Sequence, residues 1–266
     1  MKKRSLKPLW ILLSVIAGLS LLVVFLSSIG VGLRSYQYDA SGYETGGGTV
    51  AGVIRSVEID WLAGDVILTV SEDDRYASVS ETAEGGLGTA EQVRWLLDGD
   101  GVLHIRSRAP ANVLLGATPS KELVVRLPEE MAGALEKVTV SAAQGEVILE
   151  GLTAESVALP DVSGSAYLTD CRMTSVFLKV GGAVRADLTA VPEDAHFSLG
   201  GEMKLYLPED AAFSLTCEGI SGGVVTDFPL TGGDGSYICG TGGGTIAVIG
   251  TKGNTELVIY RKSPAE

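Results

Sequence analysis

Short runs of alternating apolar and polar residues fill most of the chain after residue 52. In residues 56–70, SVEIDWLAGDVILTV, two alternating runs flank a Gly-Asp turn. In residues 93–106, two short apolar runs flank Asp98-Gly99-Asp100-Gly101, a pattern typical of a β-hairpin. No segment in this part of the chain keeps a 3.6-residue apolar period, and 128–135 has room for one helical turn. The pattern predicts an all-β fold.

The strand pattern also repeats at a fixed interval. Val138, Val157 and Val176 are each 19 residues apart, and Gly145 and Gly164 have the same spacing. One strand-turn-strand unit cannot bury its apolar face alone, so a constant period predicts stacked coils with valine on valine and turn on turn. Over residues 53–260 this predicts a β-solenoid-like stack of about ten short coils. An antiparallel sandwich of hairpins, with equally short strands and Gly-rich turns, is the alternative.

The N-terminal residues have a different pattern. Residues 8–33 contain no charged side chain, and all the basic residues before them lie within the first seven positions. A stretch of this length spans a bilayer, and the positive-inside rule leaves the N-terminus in the cytoplasm. We therefore predict a short cytoplasmic basic tail (1–8), one transmembrane helix (9–33), a flexible tether (34–52) and an extracytoplasmic β-solenoid domain (53–262). A cleaved signal peptide is the alternative, although its apolar region is normally shorter.

The charge of the chain limits its partners. The formal net charge is −13, from 20 Lys and Arg and 33 Asp and Glu. Five of the basic residues lie in the first 34 positions, so the remaining 15 face all 33 acids and give −18. Such a balance excludes a nucleic-acid binder that works through phosphate contacts and favours a basic or cation-bridged partner.

The sequence offers few residues for catalysis or metal binding. The two histidines, His104 and His196, have no evident nucleophile beside them, and the Gly-x-Ser-x-Gly motif is absent. Acidic clusters follow apolar strands, where charge normally keeps a strand end soluble; they lie at Glu72, Asp73 and Asp74 and at Glu209 and Asp210. The Asp-Gly segments at 98–101 and 232–235 lack the ligand spacing of calcium loops, and the Gly-rich segment 240–244 precedes a strand rather than a helix. We therefore predict no catalytic, cofactor-binding or metal site.

Three cysteines follow the apolar segment, at positions 171, 217 and 239. Cys217 and Cys239 are separated by about one coil, so they are candidates to face each other on neighbouring coils. Three small buried thiols are the simpler interpretation.

The ordered set of strand motifs resembles the bacterial putative-adhesin domain family, a membrane-anchored β family of unknown function. The matching pieces are IDWLAGDVILTV (59–70), GVLHIR (101–106), ELVVRLPEE (122–130), KVTVSAAQGEVILEGL (137–152), MKLYLPEDAAFSLTCEGISGGVVTDF (203–228) and GTIAVIGTKGNTELVIY (244–260). The resemblance covers about residues 50–262. It implies a β-solenoid-like fold outside the membrane, and it supplies no catalytic residues.

These observations predict a non-enzymatic, single-pass cell-membrane protein that binds a protein or cell-wall partner through long β-sheet faces. An envelope-stress or signalling component that acts on a membrane partner is the first alternative. A polysaccharide-acting enzyme is the second, because some stacked β folds use clustered acids for such chemistry.

Overall fold

A computed structural model describes residues 36–111, 119–142, 144–252 and 255–262 of the chain. These residues form 21 strands and one helix, α1, of four residues at Glu129–Ala132. The strands are β1 (Glu44–Thr45), β2 (Gly48–Val50), β3 (Ser56–Trp61), β4 (Val66–Ser71), β5 (Ala77–Ala83), β6 (Arg94–Leu97), β7 (Val102–Arg106), β8 (Lys121–Pro128), β9 (Leu135–Ala142), β10 (Val147–Glu150), β11 (Thr153–Val162), β12 (Ala166–Val180), β13 (Val184–Leu188), β14 (Asp194–Leu199), β15 (Met203–Leu207), β16 (Phe213–Glu218), β17 (Ile220–Thr226), β18 (Thr231–Gly233), β19 (Ser236–Cys239), β20 (Gly244–Gly250) and β21 (Thr255–Arg261).

The chain divides into two compact units. The smaller unit comprises residues 1–40 and 110–118, of which the structure describes 36–40 and 110–111. In it, the backbones of Tyr36 and Ala111 form an isolated antiparallel bridge, and the Tyr36 ring packs edge-on against Tyr38. The larger unit contains all the described strands. Two of them, β1 and β2, lie within the segment predicted to be a tether.

The strands of the larger unit form two sheets. The twelve-stranded sheet has the order β1-β6-β7-β3-β9-β11-β12-β14-β20-β16-β19-β18. The ten-stranded sheet has the order β2-β5-β8-β4-β10-β12-β13-β15-β21-β17. The long strand β12 contributes its first half to the ten-stranded sheet and its second half to the twelve-stranded sheet. Both sheets bury one face in a single apolar core.

Each coil of the stack is one strand of the twelve-stranded sheet followed by one of the ten-stranded sheet. Parallel ladders join neighbouring coils, and Val157 pairs with both Val138 and Val176. All three valines are almost completely buried, as the 19-residue spacing predicts. The 19-residue period therefore sets the register in which strands of neighbouring coils pair, because alternation points every second side chain into the same core.

A stack of glycine turns follows one side of the coils. Gly145 has φ +124°, and a Cβ placed on it would lie 1.9 Å from the carbonyl oxygen of Gly64 on the next coil. A Cβ on Gly164 would lie 2.0 Å from the carbonyl oxygen of Gly145. Only glycine allows neighbouring turns to approach this closely while the strand ladders keep their spacing.

The order of the coils in space departs from their order in the chain at both ends. Coil β3–β4 lies between coils β7–β8 and β9–β10, and coil β20–β21 lies between β14–β15 and β16–β17. Antiparallel strands then close three of the four sheet ends within the described part of the chain: β5 with β2, β6 with β1, and β19 with β18. These short strands limit the exposed ladder edge that a regular stack would leave.

The predicted fold class is therefore corrected. About ten coils in chain order, preceded by a transmembrane helix, were expected, whereas the described residues form eight coils whose terminal members are out of order. The predicted transmembrane helix at 9–33 lies outside the described residues. Within the described ranges, no helix has the length and apolarity needed to cross a bilayer. This finding corrects the predicted transmembrane helix and the predicted single-pass cell-membrane localisation.

Candidate binding face on the ten-stranded sheet

A row of apolar side chains crosses the solvent-facing side of the ten-stranded sheet. The row is formed by residues at directly paired positions of four neighbouring strands: Val124 (β8), Ile67 (β4), Ile148 (β10) and Tyr167 (β12). We call these four residues the apolar row. Each of the four is partly exposed, whereas the residues immediately before and after it in its strand are buried in the core. Four apolar side chains in register on an outer face form a continuous patch rather than isolated surface residues.

The row arises because three strands break their alternation. Strands β4 and β10 begin with Val-Ile-Leu, and β8 contains Leu-Val-Val, so the middle residue of each triplet is apolar although it faces outward. Consecutive apolar residues in a half-buried strand are the signal that sequence reasoning missed. In residues 66–70 the alternating Val66, Leu68 and Val70 define the predicted strand, and Ile67 is an apolar residue outside that alternation.

Acidic side chains border the apolar row on one side. Glu122, Asp65 and Glu146 immediately precede the buried residues Leu123, Val66 and Val147, which are paired across the three strands. We call these three residues the acidic row. Asp65 Oδ1 accepts a hydrogen bond from the backbone N–H of Glu146 at 2.8 Å, which holds the Asp65 carboxylate beside the start of β10. Because residues two apart along a strand are separated by about 6.6 Å, the acidic row lies about that far from the apolar row.

The same outer row becomes basic beyond Tyr167. Arg185 on β13 and Lys204 on β15 occupy the next two paired positions. The Arg185 guanidinium lies 4.9 Å from the centre of the Tyr206 ring, and Tyr260 packs against the other tyrosine with ring centres 5.5 Å apart. A hydrogen bond from Lys204 to Glu202, at 3.0 Å, raises the pKa of the lysine. The face thus changes from apolar and acidic to aromatic and basic along its length.

The opposite outer face, on the twelve-stranded sheet, carries smaller and more polar residues. Its central row runs through Thr139, Ala158, Phe177 and His196, and the rings of Phe177 and His196 stack with centres 5.7 Å apart. This stacking is where the structure places His196, which the sequence identified as a candidate without a partner. The other histidine, His104, lies at the N-terminal end of the same sheet.

His104 belongs to a charged network on β3 and β7. Its Nε2 lies 3.0 Å from Asp98 Oδ2 and its Nδ1 lies 3.3 Å from Glu58 Oε2, while Arg106 donates to Glu58 Oε1 at 2.7 Å. Asp98 also accepts backbone hydrogen bonds from Asp100 and Val102, which form the turn of the predicted hairpin. The network ties that hairpin to β3.

The acidic clusters considered in the sequence remain at strand ends. Glu72, Asp73 and Asp74 follow β4, and Glu209 and Asp210 lie in the turn after β15; all five are exposed. The glycines at 240–243 form the turn between β19 and β20, so a strand follows them as expected. Among the described residues, no group of three or more His, Cys, Asp or Glu side chains is arranged to hold a metal ion.

The three cysteines are free thiols. Strands β16 and β19 pair so that Cys239 lies opposite Phe213, and the backbone N–H of Cys217 donates to the carbonyl oxygen of Gly235. Cys217 therefore lies opposite a position four residues before Cys239 along the hairpin. Cysteines at such positions are too far apart for a disulfide. Burial raises the pKa of both Cys171 and Cys217 to about 11, which keeps their thiols protonated near neutral pH.

A buried ion pair that the sequence did not reveal joins the start of β8 to β5 in the ten-stranded sheet. Lys121 Nζ donates to Glu81 Oε2 at 2.9 Å, to the carbonyl oxygen of Glu91 at 2.7 Å and to that of Ser107. It also lies 4.6 Å from the centre of the Trp61 ring. Burial lowers the pKa of Lys121, although the Glu81 carboxylate opposes the shift. All three ammonium protons are engaged, so this lysine has a structural role.

Comparison with known proteins shows only distant structural likeness. No protein-family model and no curated protein matches the chain. A solved structure of a putative cell adhesion protein from Clostridium sporogenes ATCC 15579 matches with 15% identity and a TM-score of 0.43, over 83% of this chain and 100% of that one. A likeness of this degree assigns neither a family nor a function. No family model supports the resemblance to the putative-adhesin family, and the solved structure shares with that family only the description of a cell adhesion protein.

Proposed function

We propose that this protein is a non-catalytic binding protein that engages a partner, as an adhesion protein does, through the outer face of its ten-stranded sheet. The observation that carries the proposal is the apolar row. Outward-facing sheet positions that need only solubility are normally polar, and the row instead presents four apolar side chains in register.

The residues around the row fit this role. Tyrosine and arginine are enriched among the residues that dominate binding energy at protein interfaces, and Tyr167, Tyr206, Tyr260 and Arg185 lie on the same face. The acidic row adds charge that steers a basic partner toward the face. The central row on the outer face of the twelve-stranded sheet includes the polar residues Thr139 and His196, and this face therefore serves as an internal control.

Site-specific photo-crosslinking tests the proposal in the full chain, produced in its source cells. A photoreactive residue replaces Ile148 on the proposed face or, as the control, Ala158 on the opposite sheet. We expect a discrete crosslinked product from position 148 and none from position 158. Equal products from both positions, or none from 148, would contradict a binding face on the ten-stranded sheet.

A further inference from the structure

We infer that the ligand of the apolar row is an amphipathic α-helix with basic residues along one edge, lying across the strands of the ten-stranded sheet. This inference rests on the proposed function and names the chemistry of the partner. Three properties of the face support it: the spacing of the apolar side chains, the charge beside them and the place where the row ends.

The spacing matches a helix better than an extended segment. Neighbouring strands are about 4.8 Å apart, so three steps from Val124 to Tyr167 cover about 14 Å. Apolar residues on one face of a helix recur every 3.5 residues on average, and the helix rises about 1.5 Å per residue. Four successive apolar residues on that face therefore span about 16 Å. Alternate residues of a β-strand would need about 20 Å. A helix can therefore place one apolar side chain near each member of the row.

The acidic row determines the charge of the partner. Glu122, Asp65 and Glu146 run parallel to the apolar row on one side of it, whereas the other side carries Arg126 and Glu150, whose opposite charges offset each other. A helix centred on the apolar row presents side chains from both of its flanks to the sheet, because its diameter with side chains is about 10 Å. Lys or Arg residues on the flank over the acidic row gain favourable charge pairs, whereas acidic residues there are repelled.

The basic continuation of the row limits the length of the contact. Arg185 follows Tyr167 at the next paired position, so a helix extending further would bring basic residues toward a cation. About 11 residues of helix cover the row itself. A helix this short is marginal in water by itself, so the partner helix folds on binding or belongs to a larger domain.

Peptide binding to the full-length chain tests this inference. The probe is an 18-residue peptide with leucines at 3–4-residue spacing, lysines along one flank and glutamines elsewhere. Three matched peptides carry glutamate in place of lysine, proline at the centre, or the same residues rearranged to alternate leucine and lysine. We expect the probe to bind at low salt, to weaken as salt rises, and to bind at least about tenfold more tightly than each matched peptide.

Variants of the protein identify where the probe binds. Ile148→Ser should weaken binding by about tenfold or more, because a buried isoleucine is lost from the contact. The double variant Glu122→Gln, Glu146→Gln should weaken binding severalfold and reduce its salt dependence. The double variant Glu155→Gln, Asp194→Asn removes the same charge from exposed positions of the twelve-stranded sheet and should leave binding unchanged. Thermal unfolding of each variant confirms that it is folded.

Several outcomes would overturn the inference. Tighter binding of the alternating peptide would show an extended ligand, and unchanged binding by Ile148→Ser would place the contact elsewhere. Self-association of the full chain that Ile148→Ser abolishes would make a second copy the occupant of the row. If no peptide binds while position 148 still gives its crosslinked product, the helical partner is wrong and the proposed binding function stands; loss of that product would instead remove the function.

Discussion

The middle coils and the N-terminal end of the stack are stabilised in different ways. From β9 to β15, the coils follow chain order, and their strands pair in register through apolar rows and glycine turns. At the N-terminal end, coil β3–β4 is covered by a later coil, and antiparallel strands close both sheets. Charged groups cluster at this end: the buried Lys121–Glu81 pair and the network around His104.

The difference shows what each region must achieve. A middle coil has a neighbour on both sides, so backbone ladders and apolar contacts satisfy it without special side chains. An end coil has a neighbouring coil on one side only. Antiparallel strands with irregular connections cover its other side and must be fixed there. Side-chain bonds that join residues distant in the chain, such as Lys121 and Glu81, fix these capping strands.

The largest expected effect is in the middle of the stack. Val157→Asp buries a charge in the valine row between Val138 and Val176, and we expect a loss of several kcal/mol, sufficient to unfold the larger unit. The exposed Glu155→Ala on the same strand should change the free energy of unfolding by less than about 0.5 kcal/mol. Denaturant unfolding measures both, and similar small effects would contradict the apolar stacking of the middle coils.

The stability of the N-terminal end of the stack should depend on its buried ion pair. Lys121→Met leaves the Glu81 carboxylate buried without its cation, and we expect a loss of about 3–5 kcal/mol. Lys204→Met breaks a half-exposed pair with Glu202, which solvent screens, and should cost far less than Lys121→Met. Chemical denaturation compares the two variants. A small cost for Lys121→Met would mean that the cap is held mainly by its backbone pairing.

Glycines that pack against the turn of a neighbouring coil should not tolerate substitution, whereas glycines in open turns should. Gly145→Ala places a Cβ 1.9 Å from the Gly64 carbonyl oxygen at φ +124°, so we expect a loss of about 2–3 kcal/mol. Gly99, in the hairpin turn near the N-terminal end, has no atom within 4 Å of an added Cβ, and Gly99→Ala should be nearly neutral. Thermal midpoints of the two variants test the contrast. Equal tolerance would indicate that the coils separate easily at their turns.

The smallest expected effect is a pH dependence confined to the His104 network. Backbone hydrogen bonding from Val102 and the contact with His104 lower the pKa of Asp98. Burial alone would raise the pKa of Glu58, but hydrogen bonding and charge from Arg106, with a contribution from His104, lower it. Both carboxylates therefore bind protons more readily in the unfolded chain, so their contribution is present at neutral pH and is lost as pH falls below about 5.

Replacing His104 should reduce this pH dependence. His104→Gln removes one partner of each carboxylate, so the thermal midpoint of the variant should fall less steeply with decreasing pH than that of the natural chain. His196→Gln, on the middle coils, provides the control, since its ring stacks on Phe177. The expected difference is small because solvent screens these groups, and identical pH profiles for both variants would argue against a stabilising role for the network.

The candidate binding face was only partly accessible to sequence reasoning. The Val-Ile-Leu triplets of β4 and β10 show that Ile67 and Ile148 are outward-facing exceptions to the alternation. Nothing in the sequence places them side by side, because they are 81 residues apart and their coils are separated in the chain by the coil β7–β8. The 19-residue period covers only the coils that follow chain order.

The sequence by itself determined which side of each strand faces the core and how the middle coils align. Alternation sets the inward side chains, and the constant spacing of Val138, Val157 and Val176 sets their register, since both are local properties of the chain. The tertiary structure alone decided which coils become neighbours at the ends. Backbone ladders bond equally well to any coil, so the neighbour is chosen by long-range contacts such as that of Lys121 on β8 with Trp61 on β3. That choice brings Val124, Ile67, Ile148 and Tyr167 together as one row on the outer face.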